Sequence, residues 1–99
     1  MPIMQPIVNI NGTSRDDLVK MRIEARRAVH EAMRALQELS PHGRDYIGDR
    51  DAWKRDSDIY CERFRILDAM ANDLLDEAAK LIEDDHLLAI NLLAIRDGV

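Results

Sequence analysis

The chain has few of the residues that mark specialised architectures. It has one cysteine, Cys61, among 99 residues, which excludes an intrachain disulfide framework. Only four residues are aromatic, so leucine, isoleucine and alanine supply most of the apolar content. The longest nearly apolar stretch, Leu87 to Ile95, is too short to cross a bilayer, and no signal peptide is visible. These absences predict a soluble, cytoplasmic protein with no membrane partner.

Charge and motifs exclude further functional classes. The formal net charge is −5 at pH 7, whereas a general nucleic-acid binder carries a basic face, so no nucleic-acid partner is expected. His30-Glu31 lacks the second histidine of a zinc-protease motif. Glu83-x-x-His86 lies off the apolar stripe that an inward-facing di-iron site requires. With no glycine-rich phosphate loop and no Cys-x-x-Cys pair, we expect no enzyme, no metal site and no cofactor.

A heptad repeat runs through the second half of the chain. Its first series is Trp53, Tyr60, Leu67, Leu74, Leu81, Leu88 and Ile95. The positions four residues later are mostly small or apolar, and they are Ser57, Phe64, Ala71, Ala78, Asp85 and Leu92. Alternating spacings of four and three are typical of a helix that packs along one partner helix. The sequence therefore predicts an all-α protein, an antiparallel helical hairpin with coiled-coil-like packing.

The first half of the chain supplies an arm and the partner helix. Residues 1–13 are predicted to form an extended N-terminal arm, which either lies along the helices or pairs with a symmetry mate. Helix 1 is expected over about 15–39, with Ser14 as its N-cap. The stripe expected to face helix 2 is Leu18, Met21, Ala25, Ala28, Ala32, Ala35 and Leu39, broadened by Val29, Met33 and Leu36.

Charged and polar residues beside these stripes have expected positions too. The charged residues on the flanks of helix 1, including Arg22 and Arg26, are expected to be exposed and paired along the helix. Cys61 follows Tyr60 at the edge of the stripe on helix 2, so we expect its thiol to be half-buried.

A turn over 40–49 connects the two helices of the predicted unit 14–83. Pro41 stops helix 1, and Gly43 is able to adopt a positive φ. Helix 2 is expected over about 50–83, with Asp49 or Asp51 as its cap.

Residues 84–99 form a C-terminal helical extension in this organisation. A continuous helix from 51 to 96 would be about 69 Å long and would extend well beyond helix 1. The part of helix 2 beyond helix 1 carries apolar residues that a soluble protein does not leave exposed as one patch. These residues are Leu87, Leu88, Leu92, Leu93 and Ile95. Either helix 2 breaks near residues 83–85 and folds back, or the extension packs on a second chain. Both alternatives make these leucines and Ile95 an expected oligomer or partner interface.

The turn also holds a polar cluster that suits an anionic ligand. Its candidate binding residues are His42, Arg44, Tyr46, Arg50 and Arg55. Guanidinium groups bind phosphates, Tyr46 and Trp53 offer rings for stacking, and the N-terminus of helix 2 favours anions. The alternative is a capped and salt-bridged turn, since Asp45, Asp49 and Asp51 nearly cancel the positive charge.

Two short motifs resemble those of small uncharacterised proteins of tailed phages and prophages. These are Asn11-Gly12-Thr13-Ser14 before helix 1, and Pro41-His42-Gly43-Arg44-Asp45-Tyr46 in the turn, where His42 replaces the usual Asn of that family. The likeness covers about residues 7–82 and brings no known activity. It implies a phage-type setting, in the host cytoplasm or associated with the virion.

Two functional hypotheses follow. The first is a non-enzymatic interaction protein, a homo-oligomer that serves virion assembly or binds a host protein. The second is an anti-defence module that sequesters a small nucleotide-like or phosphorylated ligand at the turn.

Overall fold

The hairpin predicted from the heptads is confirmed. A computed structural model of the chain describes residues 2–83. Helix α1 spans Arg15–Gln37, helix α2 spans Arg50–Leu81, and a short 3₁₀ helix, Gly43–Tyr46, lies in the turn between them. The two long helices pack against each other, and residues 2–83 contain no strand.

Local side-chain contacts set the helix ends. The Ser14 hydroxyl accepts a hydrogen bond from the Asp17 backbone N–H at 3.1 Å, which caps α1. Asp49, rather than Asp51, caps α2, since its carboxylate accepts from the Ala52 N–H at 3.0 Å. The positive φ of the turn falls on Gly48, at 85°, and not on Gly43. Gly48 therefore redirects the chain into α2.

The predicted stripe of α2 is its buried side, whereas the predicted stripe of α1 is only partly right. Along α2, Ala71, Ala78 and Leu81 are buried. On α1, Arg22 is buried, and Leu18, Val29, Met33 and Leu36 of the predicted set are half-buried. The four alanines expected to face α2 are exposed, as are Met21 and Leu39. Both stripes have helical spacing, but valine, methionine and leucine bury more apolar area than alanine does, so they occupy the contact with α2.

The hydrophobic core lies at one end of the hairpin. Leu75, Ala78, Leu81 and Ile82 form it, and residues 18, 19 and 23 of α1 pack against it. No residue between 23 and 70 is buried. We call the part around this cluster the core end, and residues 24–70 the tip half.

The N-terminal arm lies along the helices at the core end. The Met4 N–H donates to Glu77 Oε2 at 3.1 Å, and Ile3 and Pro6 are half-buried. This is the first of the two alternatives drawn from the sequence. The arm thus covers a flank of α2 that the hairpin alone would leave open.

Candidate interaction surface and hairpin tip

Helix α1 carries a second row of apolar residues, which is exposed, has heptad spacing and does not face α2. Its members are Met21, Ala25, Ala28, Ala32, Ala35 and Leu39. Met21 is 58% exposed and Leu39 is 64% exposed. Since spacings of four and three keep the residues from Met21 to Ala35 on one side of α1, and Leu39 follows two residues after the helix ends, they form a stripe about 27 Å long.

Helix α2 adds larger apolar side chains to the same side of the hairpin. A shallow groove of about 290 Å³ near the turn has a mixed lining, which consists of Leu36, Leu39, Pro41, Tyr46, Asp56, Ile59, Tyr60 and Arg63. Ile66 and Met70 follow Ile59 by seven and eleven residues, so they continue its row along α2. Ile59, Ile66 and Met70 are all exposed. We call this row, together with the exposed heptad of α1, the apolar face.

The opposite side of the hairpin carries mostly polar exposed residues. Gln37, Cys61, Arg65 and Asp68 line a separate groove there, together with the rings of Tyr60 and Phe64. Arg65 Nε donates to Glu62 Oε2 at 2.9 Å, and this hydrogen bond lowers the pKa of Glu62. Cys61 is exposed, so the half-buried thiol expected from the sequence is wrong: the position points away from α1. The two sides of one helical layer therefore differ in character.

Internal contacts hold the tip in its turn conformation. His42 Nδ1 accepts from the Arg44 backbone N–H at 3.2 Å. The Tyr46 hydroxyl donates to Asp56 Oδ2 at 2.7 Å, and Arg55 Nε donates to Asp56 Oδ1 at 3.1 Å. The bond to Asp56 raises the pKa of Tyr46, whereas the bonds from Tyr46 and then Arg55 lower the pKa of Asp56. Three of the five predicted ligand residues thus serve the turn itself.

A groove of about 350 Å³ remains beside the turn. Tyr46, Asp49, Arg50 and Trp53 line it together with Gly43 and Gly48. Trp53 is 39% exposed, so part of its indole faces this groove or solvent. The guanidinium groups of Arg44 and Arg50 make no hydrogen bond or ion pair within residues 2–83.

A buried ion pair at the core end was not predicted from the sequence. Arg22 Nε lies 3.1 Å from Glu77 Oε1, and Arg22 also donates to the Leu18 carbonyl at 3.1 Å. Arg22 is 8% exposed and Glu77 is 5% exposed, contrary to the exposed position expected for Arg22. The buried position of Arg22 was predictable from its spacing. Arg22 lies four residues after Leu18 and seven before Val29, and is therefore within the stripe that faces α2. Arg26, expected to be exposed, is half-buried one turn further along.

Several predicted features lie outside the described residues. The interface residues Leu87, Leu88, Leu92, Leu93 and Ile95 belong to 84–99, as does His86 of the Glu83-x-x-His86 pair. Within residues 2–83, no three His, Cys, Asp or Glu side chains are placed to hold a metal ion. No helix in that range is both long and apolar enough to cross a membrane.

Comparisons with known proteins assign the chain to no family. No family model, no curated protein and no solved structure matches it. The functional proposal therefore rests on the surface and the tip described above, together with the motifs of the sequence.

Proposed function

We propose that this protein is a non-enzymatic helical interaction protein that acts as a homo-oligomer. The observation that carries the proposal is the distribution of buried residues. Within residues 2–83, the five buried apolar residues all fall between Ala71 and Ile82, so the tip half has no core of its own. A two-helix layer without a core normally gains stability by associating with another surface.

The accessible surface of the chain supports the same proposal. It measures 7459 Å², against about 5,800 Å² expected for a compact monomer of 11.4 kDa. The radius of gyration is 18.2 Å, whereas about 13 Å is typical of a compact domain of this length. The excess surface of one protomer is more than enough for a stable protein–protein interface, which buries roughly 800 Å² on each partner.

Two motifs of the sequence bear on the biological setting of this oligomer. We propose that the oligomer serves phage virion assembly or binds a host protein, in the host cytoplasm or on the virion. This part is supported by the two motifs that resemble phage and prophage proteins. Both motifs have a local structural role: Ser14 caps α1, and His42 and Tyr46 hold the turn.

A second candidate function is capture of a small phosphorylated or nucleotide-like ligand at the tip. It is favoured by the partly exposed indole of Trp53 beside Arg50 in one groove. Arg44 and Arg50 have no ion-pair partner within residues 2–83, so both are available for a phosphate. The contacts that already engage His42, Tyr46 and Arg55 make this the weaker candidate.

Native mass spectrometry on gently purified protein tests both candidates. The first predicts a clean integer multiple of the protomer mass. The second predicts extra mass of the size of a small ligand on each subunit, lost on denaturation and absent from an Arg44→Ala/Arg50→Ala variant. A bare protomer at every concentration would contradict both.

A further inference from the structure

We propose that the apolar face is a homodimer interface in which α1 of one protomer packs on α2 of a second copy. This inference rests on the proposed function and names the surface that carries it. It is distinct from residues 84–99, which the sequence analysis singled out for the same role.

The apolar face is of the size of a small dimer interface. Its α1 row is about 27 Å long, its α2 row is about 17 Å long, and each helix is about 10 Å wide. Two such faces would bury about 900 Å² in total, close to the roughly 1,000 Å² at which biological interfaces begin. Dimerisation would also give the tip half the buried apolar layer that it lacks within one protomer.

The second copy is the partner because the face is complementary to itself. Its α1 half is made mostly of alanines, whereas its α2 half carries Ile59, Ile66 and Met70. Small side chains on one helix accept large ones from the facing helix, which is how helical layers interdigitate. When α1 of each copy packs on α2 of the other copy, small side chains face large ones at both contacts. A twofold interface requires such reciprocity, since each residue contact appears in both directions.

The register of the hairpin identifies the residues that would meet. Arg22 and Glu77 lie opposite each other, as their 3.1 Å contact shows. Ala32 lies ten residues from Arg22 towards the tip, and Ile66 lies eleven residues from Glu77 in the same direction. Both residues therefore have nearly the same position along the long axis of the hairpin, which we call their height. A twofold axis parallel to the helices preserves height. It therefore places Ala32 of one protomer against Ile66 of the second copy.

The test compares Ala32→Glu with Gln37→Glu in the full chain. Each variant places a new carboxylate on α1, the first on the apolar face and the second on the polar side. Both positions are exposed in the single protomer, and glutamate is nearly as good a helix former as alanine, so the hairpin itself is retained. Sedimentation equilibrium should find the wild type and Gln37→Glu as dimers. Ala32→Glu should be a monomer with an unchanged circular dichroism spectrum.

Other outcomes separate this inference from the broader proposal. If the wild type and Ala32→Glu associate equally, the apolar face is not the interface, although the protein remains an oligomer. If the wild type is a monomer, both proposals fail. If that monomer also loses thermal stability on Ala32→Glu, another part of the same chain covers the face.

Cysteine pairing tests the arrangement of the helices. Ala32→Cys and Ile66→Cys are each made in a Cys61→Ser background, and the two proteins are exchanged and oxidised together. The inference predicts a disulfide-linked dimer from the mixture and little from either protein alone. Cross-linking of Ala32→Cys with itself would instead establish the α1-on-α1 arrangement and overturn the one proposed.

Discussion

The core end and the tip half of the hairpin are held together by different means. At the core end, buried side chains of α2 contact α1, and the arm is tied to Glu77. In the tip half, the same two helices touch through half-buried side chains such as Phe64 and Leu67, and the Tyr46–Asp56 bond closes the turn. The heptad pattern is continuous through both regions. The difference shows that a continuous pattern on each helix does not by itself produce a continuous core.

Glu77 connects three segments at the core end. One carboxylate oxygen accepts from Arg22 of α1 and the other from the Met4 N–H of the arm. Nothing in the tip half joins three segments in this way within residues 2–83. The core end is therefore held by contacts among three segments, whereas the described contacts of the tip half join only α1, α2 and the turn.

The largest expected effect comes from removing the shared carboxylate. Glu77→Ala leaves a buried guanidinium unpaired and should lower the free energy of unfolding by about 3–5 kcal/mol. Glu24→Ala removes an exposed partner of Arg27 instead, and should cost less than about 1 kcal/mol. Urea unfolding followed by circular dichroism measures both values. An equally small effect of both substitutions would mean that the core end is not organised by Glu77.

Truncating one leucine in each region gives an intermediate effect. Leu75→Ala removes a side chain that is 3% exposed and should cost about 3 kcal/mol, including the cavity that it leaves. Leu67→Ala, on the same side of α2 but half-buried, should cost about half as much or less, because less apolar area returns to water. Thermal unfolding of the two variants makes the comparison. Equal losses would show that the tip half is packed as tightly as the core end.

The smallest effect concerns the hydrogen bond at the tip. The pKa of Asp56 is lowered in the folded state. The bond therefore stabilises the folded state fully above the ordinary carboxyl pKa, about 4, and this stabilisation is lost as pH falls through the pKa of folded Asp56. The pKa of Tyr46 is raised, so the contribution is complete below about pH 10 and is lost as pH rises through its folded value.

Ultraviolet titration of the tyrosines measures this bond. In the wild type, Tyr46 should ionise above its ordinary range, and Asp56→Ala should bring its midpoint down. Asp58→Ala is the matched control, since Asp58 pairs with Lys54 and makes no contact with Tyr46. Identical titration curves for Asp56→Ala and the wild type would contradict the assignment of the raised pKa to Asp56.

Predictions that depend on neighbouring residues along the chain agree with the structure. Ser14 caps α1, Asp49 caps α2, and the heptad of α2 identifies the side that faces α1. Caps and helical periodicity are set within a few residues, so they are readable from the sequence. The tip cluster was visible too, although only the structure assigned His42, Tyr46 and Arg55 to contacts within the turn and its flanking helix.

The sequence by itself determined two helices, their ends and an amphipathic pattern on each. Only the tertiary structure decided which of two apolar stripes of α1 faces α2. Both stripes have the spacing of a helix face. Which of them packs on α2 depends on side chains of α2, which are far away along the chain. Arg22 and Glu77, for example, are 55 residues apart in the sequence and form an ion pair in the contact between α1 and α2. The alanine stripe was left on the outside because the larger side chains gained more by facing α2.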